Sequence, residues 1–299
     1  MKYINYTDKK FRVSDNKFKL ADFSTRLTPA SKKNKKKLKK NLENTIQQIS
    51  KLQNKLFAED RQSLLIIFQG MDSSGKDGTI KQIMKGVNPQ GVLVTSFKHP
   101  SALELEHDYL WRQTIKLPEH GQIVIFNRSH YENVLISKVH PELVLAERVN
   151  GYDSLSKIDN KFWELRYIQI NHFEERNIEI GTHVLKFFLH ISKDEQCKRF
   201  LDRIANEDKH WKFSSSDIVE RQYWSKYQDA YEQAIKNTST KLSPWYIIPA
   251  DDKLYAHTLV SKVILEKLKE MKPDFPPKTK QEKAYMQKAK VNLVKEMKH

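Results

Sequence analysis

Cysteine is almost absent from the chain. Cys197 is the single one in 299 residues, so no intrachain disulfide can form and a secreted, disulfide-stapled scaffold is excluded. Long apolar runs are missing too: no window approaches the roughly eighteen residues that a spanning helix needs. The opening residues, Met1-Lys-Tyr-Ile-Asn-Tyr and then Asp8-Lys-Lys, lack the apolar segment of a signal peptide. A cytoplasmic protein without a membrane partner is therefore expected. No internal repeat and no extended low-complexity tract is present. Acidic residues are outnumbered, with 37 Asp and Glu against 53 Lys and Arg, and the formal net charge of +16 turns the surface towards polyanions such as nucleic acid, anionic membranes or phosphate esters. With 38% hydrophobic residues, a chain of this length can bury one large core with extensions.

The run from Ser31 to Lys40 contains seven lysines, and from there apolar residues fall at Leu38, Leu42, Ile46, Ile49, Leu52 and Leu56. Spacings of three and four predict an amphipathic helix over about 32–58, docked on the body through that stripe. Apolar runs at 63–69, 92–97, 123–126, 184–191 and 245–248 predict five buried strands. Helical periodicity at 77–87, 102–117, 162–177, 194–206 and 253–271 separates them. This alternation predicts an α/β fold built on a mostly parallel sheet of right-handed βαβ units. Segments 138–162 and 207–240 read as insertions over the sheet, and the chain from Lys272 on reads as a proline-marked boundary followed by a peripheral basic helix. The expected organisation is an extension over 1–60, a core over 61–271 with a lid at about 199–225, and a basic tail over 272–299.

Directly after the first strand comes Gly70-Met-Asp-Ser-Ser-Gly-Lys76, the spacing of a P-loop. Glycines there let the backbone close on a phosphate, helix-terminal amides point at its oxygens, and the lysine ammonium adds charge. Gly70, Ser73, Ser74, Gly75, Lys76, Asp77 and Gly78 are accordingly phosphate-binding candidates. Asp77 stands where a serine or threonine would normally serve magnesium. Asp72 would crowd phosphate oxygens unless a cation lay between them, which points to Mg2+ near Asp72, with Asp77 or Thr79 close by. The third strand ends in Asn127-Arg128-Ser129-His130-Tyr131-Glu132, at the sheet edge where open α/β folds bind ligands. Arg128 could neutralise a transferring phosphoryl group, and Asn127 takes the place of the usual magnesium-holding aspartate. Arg199 and Arg203, four apart on one helix face and followed by Lys209 and Lys212, resemble a lid that supplies positive charge on closing. His99, His107 and His130 do not form a metal-ligand spacing.

Taken together, Gly70-Met-Asp-Ser-Ser-Gly-Lys-Asp-Gly-Thr79, Phe97-Lys-His-Pro-Ser101, Phe126-Asn-Arg-Ser-His-Tyr131 and Lys209-His-Trp-Lys-Phe-Ser214 resemble the polyphosphate kinase family 2 over about residues 30–270. The resemblance implies a nucleotide-kinase-like P-loop fold with a helical lid. It further implies Mg2+ and phosphoryl transfer between inorganic polyphosphate and nucleoside mono- and diphosphates. By matching position, Asp72, Lys76 and Arg128 would be catalytic, and Asp72 and Asn127 would hold metal. Lys98, Arg199, Arg203, Lys209 and Lys212 would line the polyphosphate path, and Asn127, Arg128, His130, Tyr131 and Glu132 would meet the nucleotide. The subgroup it most resembles accepts both AMP and ADP, and the family suggests dimers or tetramers, for which the N-terminal helix is a candidate interface.

A P-loop NTPase acting as a nucleic-acid-binding switch is the rival reading. Asn160-Lys161 lacks the aspartate that guanine recognition would need, since Trp163 stands there, and no aromatic-studded basic strand offers bases a stacking surface.

Overall fold

All five apolar runs become strands of one sheet: β1 Ser63–Gln69, β2 Val92–Ser96, β3 Ile123–Asn127, β4 Thr182–His190 and β5 Trp245–Pro249. The computed structural model describes residues 10–13, 17–27 and 32–297. The first nine residues, which carry the expectation of no leader, and Ser31 at the start of the lysine run lie outside the described residues. The strand order is β2-β3-β1-β4-β5, and every pairing in the sheet is parallel. Phe68 of β1 lies opposite Asn127 of β3, so the two strands end level. The chain leaves β1 towards β2 and leaves β3 in the opposite direction, towards β4. Connections that diverge from adjacent strands open a crevice at their carboxyl ends, and the P-loop sits there.

Longer helices flank the sheet: α1 Lys32–Glu59, α2 Lys76–Ile83, α3 Asn160–Glu179, α4 Lys193–Ile204, α5 Trp224–Thr238, α6 Lys253–Met271 and the peripheral α7 Lys280–Glu296. No helix among the described residues is long and apolar enough to cross a membrane. The stripe of α1 is buried at Leu38, Leu42, Ile46, Ile49 and Leu56, and half-buried at Leu52. Because α1 packs against α6, that stripe is consumed within the chain, and a subunit contact through α1 would have to use its other, lysine-bearing faces.

Three expectations need correcting. β2 is not buried but an edge strand, with Leu93 and Val94, which point to opposite faces, each about half exposed. The helix expected over 102–117 is two single turns, Ala102–Leu105 and Trp111–Thr114. Between them Asp108 accepts the Leu110 amide at 2.8 Å, a local side-chain bond that competes with helix continuation. The N-terminal segment, expected as an extension, partly joins the core. Phe11, Val13, Phe18 and Leu20 are buried, and backbone bonds from Val13 N to Trp245 O and from Ile247 N to Phe11 O cover the free edge of β5.

Lys186 breaks the apolar run of β4, yet it is fully buried. Its ammonium donates to Glu174 Oε2 (2.6 Å), the Thr238 carbonyl (2.7 Å) and the Tyr131 hydroxyl (3.1 Å), and Tyr131 in turn donates to Glu174 Oε1 (2.7 Å). Burial opposes charge on Glu174, but Lys186 and His130 hold its carboxyl down at about 2. The network ties α3, β4 and the last residue of α5 to the turn that follows β3.

Removing one partner leaves a buried charge alone, so Lys186→Met should cost about 3–5 kcal/mol in urea unfolding. The double variant Glu174→Leu/Lys186→Met should recover much of that loss. A double variant no more stable than the single one would contradict this account of the pair.

Candidate active site

After β1 the chain must turn sharply, and two glycines permit it. A Cβ on Gly70 would lie 2.7 Å from Ser74 Oγ and 2.9 Å from the Leu189 carbonyl. Gly75 has φ +102° and caps α2 without a side-chain bond. The first intrahelical bond runs from Thr79 N to Gly75 O, so the amides of Lys76, Asp77 and Gly78 have no acceptor within the helix. All three residues line the cleft.

Lys76 is buried, and among the described residues its ammonium bonds only backbone carbonyls, Gly70 O at 2.6 Å and Met71 O at 3.2 Å. Burial, then the neighbouring Arg128 guanidinium, lowers its pKa to about 8. Arg128 adopts φ +64°, a left-handed conformation that only a surrounding network can hold in a non-glycine residue. Three groups hold it: its amide donates to Phe68 O at 3.1 Å, Nη2 pairs with Asp72 at 2.5 Å and Nη1 with Glu132 at 3.2 Å. Glu132 and Asp72 keep Arg128 protonated against burial.

Asn127 donates Nδ2 to Asp77 Oδ1 at 2.8 Å and leaves its own buried Oδ1 without a partner. Burial pushes the Asp77 carboxyl up, but the Asn127 amide and Lys212 outweigh it and hold it below its ordinary value. Lys212 Nζ lies 3.2 Å from Asp77 Oδ2, while Arg203 joins the Lys212 carbonyl, Asp217 and Ser73 Oγ at 2.8, 3.0 and 2.7 Å. Segment 207–217 is thus already drawn over the P-loop. Ser73, Ser74, Gly75, Lys76, Asp77, Gly78, Lys98, Asn127, Arg128, Arg203, Lys209 and Lys212 line one cleft of about 580 Å³.

Several expected residues sit elsewhere. His130 and Tyr131 are fully buried beneath the turn, His130 with Nε2 3.4 Å from Glu174, and neither lines the cleft. Glu132 lies outside the main cleft, beside a small pocket with Asp72, Tyr227 and Tyr231, where it backs Arg128. Arg199 lines the cleft, but its five donors are spent: Nε on Glu195, Nη1 on the carbonyls of Ser73 and Ser74, and Nη2 on those of Ala250 and Asp251. These bonds brace the P-loop against the chain after β5.

Sequence reasoning missed Asp217, Lys253, His257 and Arg112. Lys253 and His257 follow β5, and the carboxyl end of every parallel strand was the available signal. Arg112 is buried against the Phe97 ring and donates to the Lys98 carbonyl at 2.6 Å, which fixes the loop that carries Lys98. No spacing announced it. Among the described residues, no group of three or more His, Cys, Asp or Glu side chains could hold a metal. A cation here would draw on Asp72, the orphaned Asn127 oxygen and the ligand's own oxygens, and the orphaned acceptor fits such a use.

The family model described as polyphosphate kinase 2 matches residues 32–276. The chain belongs to the polyphosphate kinase 2 family. It is 48% identical over 238 residues to an ADP-polyphosphate phosphotransferase of Rhodopseudomonas palustris, covering 80% of this chain and 81% of that one. It is 44% identical over 236 residues to an AMP/ADP-polyphosphate phosphotransferase of Meiothermus ruber, covering 79% and 83%. The crystal structure of polyphosphate kinase 2 from Arthrobacter aurescens superposes with a TM-score of 0.83 at 37% identity, over 94% of this chain and 96% of that one. That polyphosphate kinase 2 structure shares the P-loop kinase-like architecture described above.

The lowered pKa of Lys76 gives a pH dependence with a definite sign. Phosphate binds the ammonium form, so the dissociation constant for tripolyphosphate should be flat from pH 7 to about 8 and then rise, by up to about tenfold per pH unit. Calorimetry on the wild type and on Lys76→Arg, which does not titrate there, checks this; identical profiles would contradict it. A second expectation separates the two arginines. Arg199→Ala should lower thermal stability clearly, whereas Arg203→Ala should stay within roughly 0.5–1 kcal/mol of the wild type.

Proposed function

We propose that this chain moves the terminal phosphoryl group of inorganic polyphosphate to AMP and to ADP, reversibly, with Mg2+ as the metal. As a polyphosphate kinase 2 it is an enzyme, a polyphosphate-dependent nucleotide phosphotransferase. One observation carries the assignment of parts: P-loop amides, Lys76, Arg128 and the cations of segment 203–212 face a single cleft. Such a cleft suits two phosphate chains meeting end to end.

In this reading the nucleotide's terminal phosphate lies between the P-loop and the Asn127–Arg128 edge, and polyphosphate arrives past Lys98, Arg203, Lys209 and Lys212. An acceptor phosphate oxygen attacks the terminal phosphorus of the polymer. The bond to the bridging oxygen breaks, and that oxygen stays on a polymer one unit shorter. The transition state is loose, so orientation and charge neutralisation matter more than a base. Lys76 and the loop amides hold equatorial oxygens, and Arg128, fixed by Asp72 and Glu132, meets the charge that develops. Bound Mg2+, held through Asp72 with Asn127 beside it, would withdraw charge from the phosphate oxygens. His130 and Tyr131 act only by fixing the turn that presents Arg128.

Cytoplasmic location and a homo-oligomer, dimer or tetramer, belong to the same proposal. The exposed, unpaired Cys197 suits a reducing compartment, and the family resemblance supports assembly. Nothing in the cleft favours the nucleic-acid switch.

Incubation with Mg2+, polyphosphate and AMP, ADP or GMP, with the nucleotides then resolved, tests the reaction. The wild type should yield ADP and ATP from AMP. Lys76→Ala should keep its circular dichroism and lose at least about two orders of magnitude in turnover; near-normal turnover would refute the assignment.

A further inference from the structure

The lysines at the start of α1 are the largest charged feature that the cleft leaves unexplained. Their position follows from helix lengths. α1 has 28 residues and α6 has 19, so at about 1.5 Å per residue they span roughly 42 and 28 Å. The two pack against each other and run in opposite directions, since α1 leads into the start of β1 and α6 leaves the end of β5. Their lower ends are level: Gln62, just past α1, donates to the carbonyl of Met271, the last residue of α6. The first residue of α6, Lys253, lines the cleft. The extra length of α1 therefore carries its first turns past Lys253, to the same sheet edge as the P-loop and on the order of 20 Å from it.

Those turns are uniformly basic. Lys35, Lys36, Lys39 and Lys40 are exposed and form no ion pair among the described residues, and the first acidic residue of the helix is Glu43. The pairs 35–39 and 36–40 stack like charges at i,i+4, an arrangement that weakens a helix unless an anion lies along it. The same half of the helix is anchored by buried Leu38 and Leu42, so these charges are held in place. Lys253 and His257, in the first turns of the helix that packs against α1, line the same cleft as the P-loop.

We propose that this face of α1 is a second, remote binding surface for inorganic polyphosphate, which holds the distal part of a long chain while its end reacts at the P-loop. The inference rests on the polyphosphate reading of the cleft and extends it. Lys253 lines the same cleft as Lys98, Arg203, Lys209 and Lys212, so an unbranched polyanion held by those cations and leaving the cleft on the Lys253 side meets these lysines next. Tethering it there raises the effective concentration of its end at the loop without any new contact at the reacting phosphate. Nucleic acid is the poorer occupant, because α1 has no aromatic residue before Phe57 on which bases could stack. A triphosphate seated at the P-loop is too short to reach the surface.

The test is the quadruple variant Lys35→Gln/Lys36→Gln/Lys39→Gln/Lys40→Gln in the full chain, which touches no residue of the cleft. With ADP as acceptor, its KM for a polymer of several hundred phosphates should rise by about fivefold or more, with kcat and the KM for tripolyphosphate unchanged. An unchanged long-chain KM, or equal rises for both donors, overturns the proposal. So does a variant that loses binding of a single-stranded RNA but keeps binding of labelled long-chain polyphosphate. A wild type that transfers nothing from either donor overturns the catalytic reading itself; an active wild type matched by its variant overturns this inference alone.

Discussion

A buried ammonium satisfied only by neutral carbonyls is the constraint around which the rest is arranged. Among the described residues Lys76 has no carboxylate within hydrogen-bond distance, whereas Arg128, Arg203 and Lys212 around it are each paired with one. Asp72, Glu132 and Asp77 raise its pKa, but burial and Arg128 prevail and bring it down to about 8. A cation in that condition is stabilised by any anion that enters, and the entering anion meets three helix-terminal amides with no partner of their own. Affinity for phosphate is thus built into the turn before a ligand arrives.

Holding that turn open requires support from below. Arg128 keeps a left-handed backbone conformation because β1 holds its amide and two carboxylates hold its guanidinium. One layer deeper, Ser129 accepts Gln69 Nε2 and joins the ends of β1 and β3. Tyr131 is pinned by Glu174, which Lys186 pairs. On the other side Arg199 spends every donor on carbonyls of the P-loop and of the chain after β5. The reacting residues are few, and most polar groups near them serve to fix geometry.

The sheet was legible because parallel strands buried on both faces leave continuous apolar runs, and the P-loop because its glycines and lysine are required by the turn itself. β2 misled because an edge strand can carry the same Val-Leu-Val run as a central one. His130 and Tyr131 sit in a motif at the right sheet edge, but β3 ends at Asn127 and the chain turns into a short 3-10 helix over His130–Val134 that buries both side chains, a turn that no spacing announced. Arg199 and Arg203 share a helix face in sequence terms, yet one faces carbonyls and the other bridges the P-loop to segment 212–217. Lys186 and Arg112 gave no signal, since their partners come from distant segments that only the fold assembles.

A crystal structure with nucleotide, tripolyphosphate and Mg2+ tests the central claim most directly. The account predicts a phosphate in the turn after β1, within hydrogen-bond distance of the amides of 76–78 and of the Lys76 ammonium, with Arg128 on the phosphate that faces it. A turn left empty, with the anion bound elsewhere on the basic surface, would contradict it.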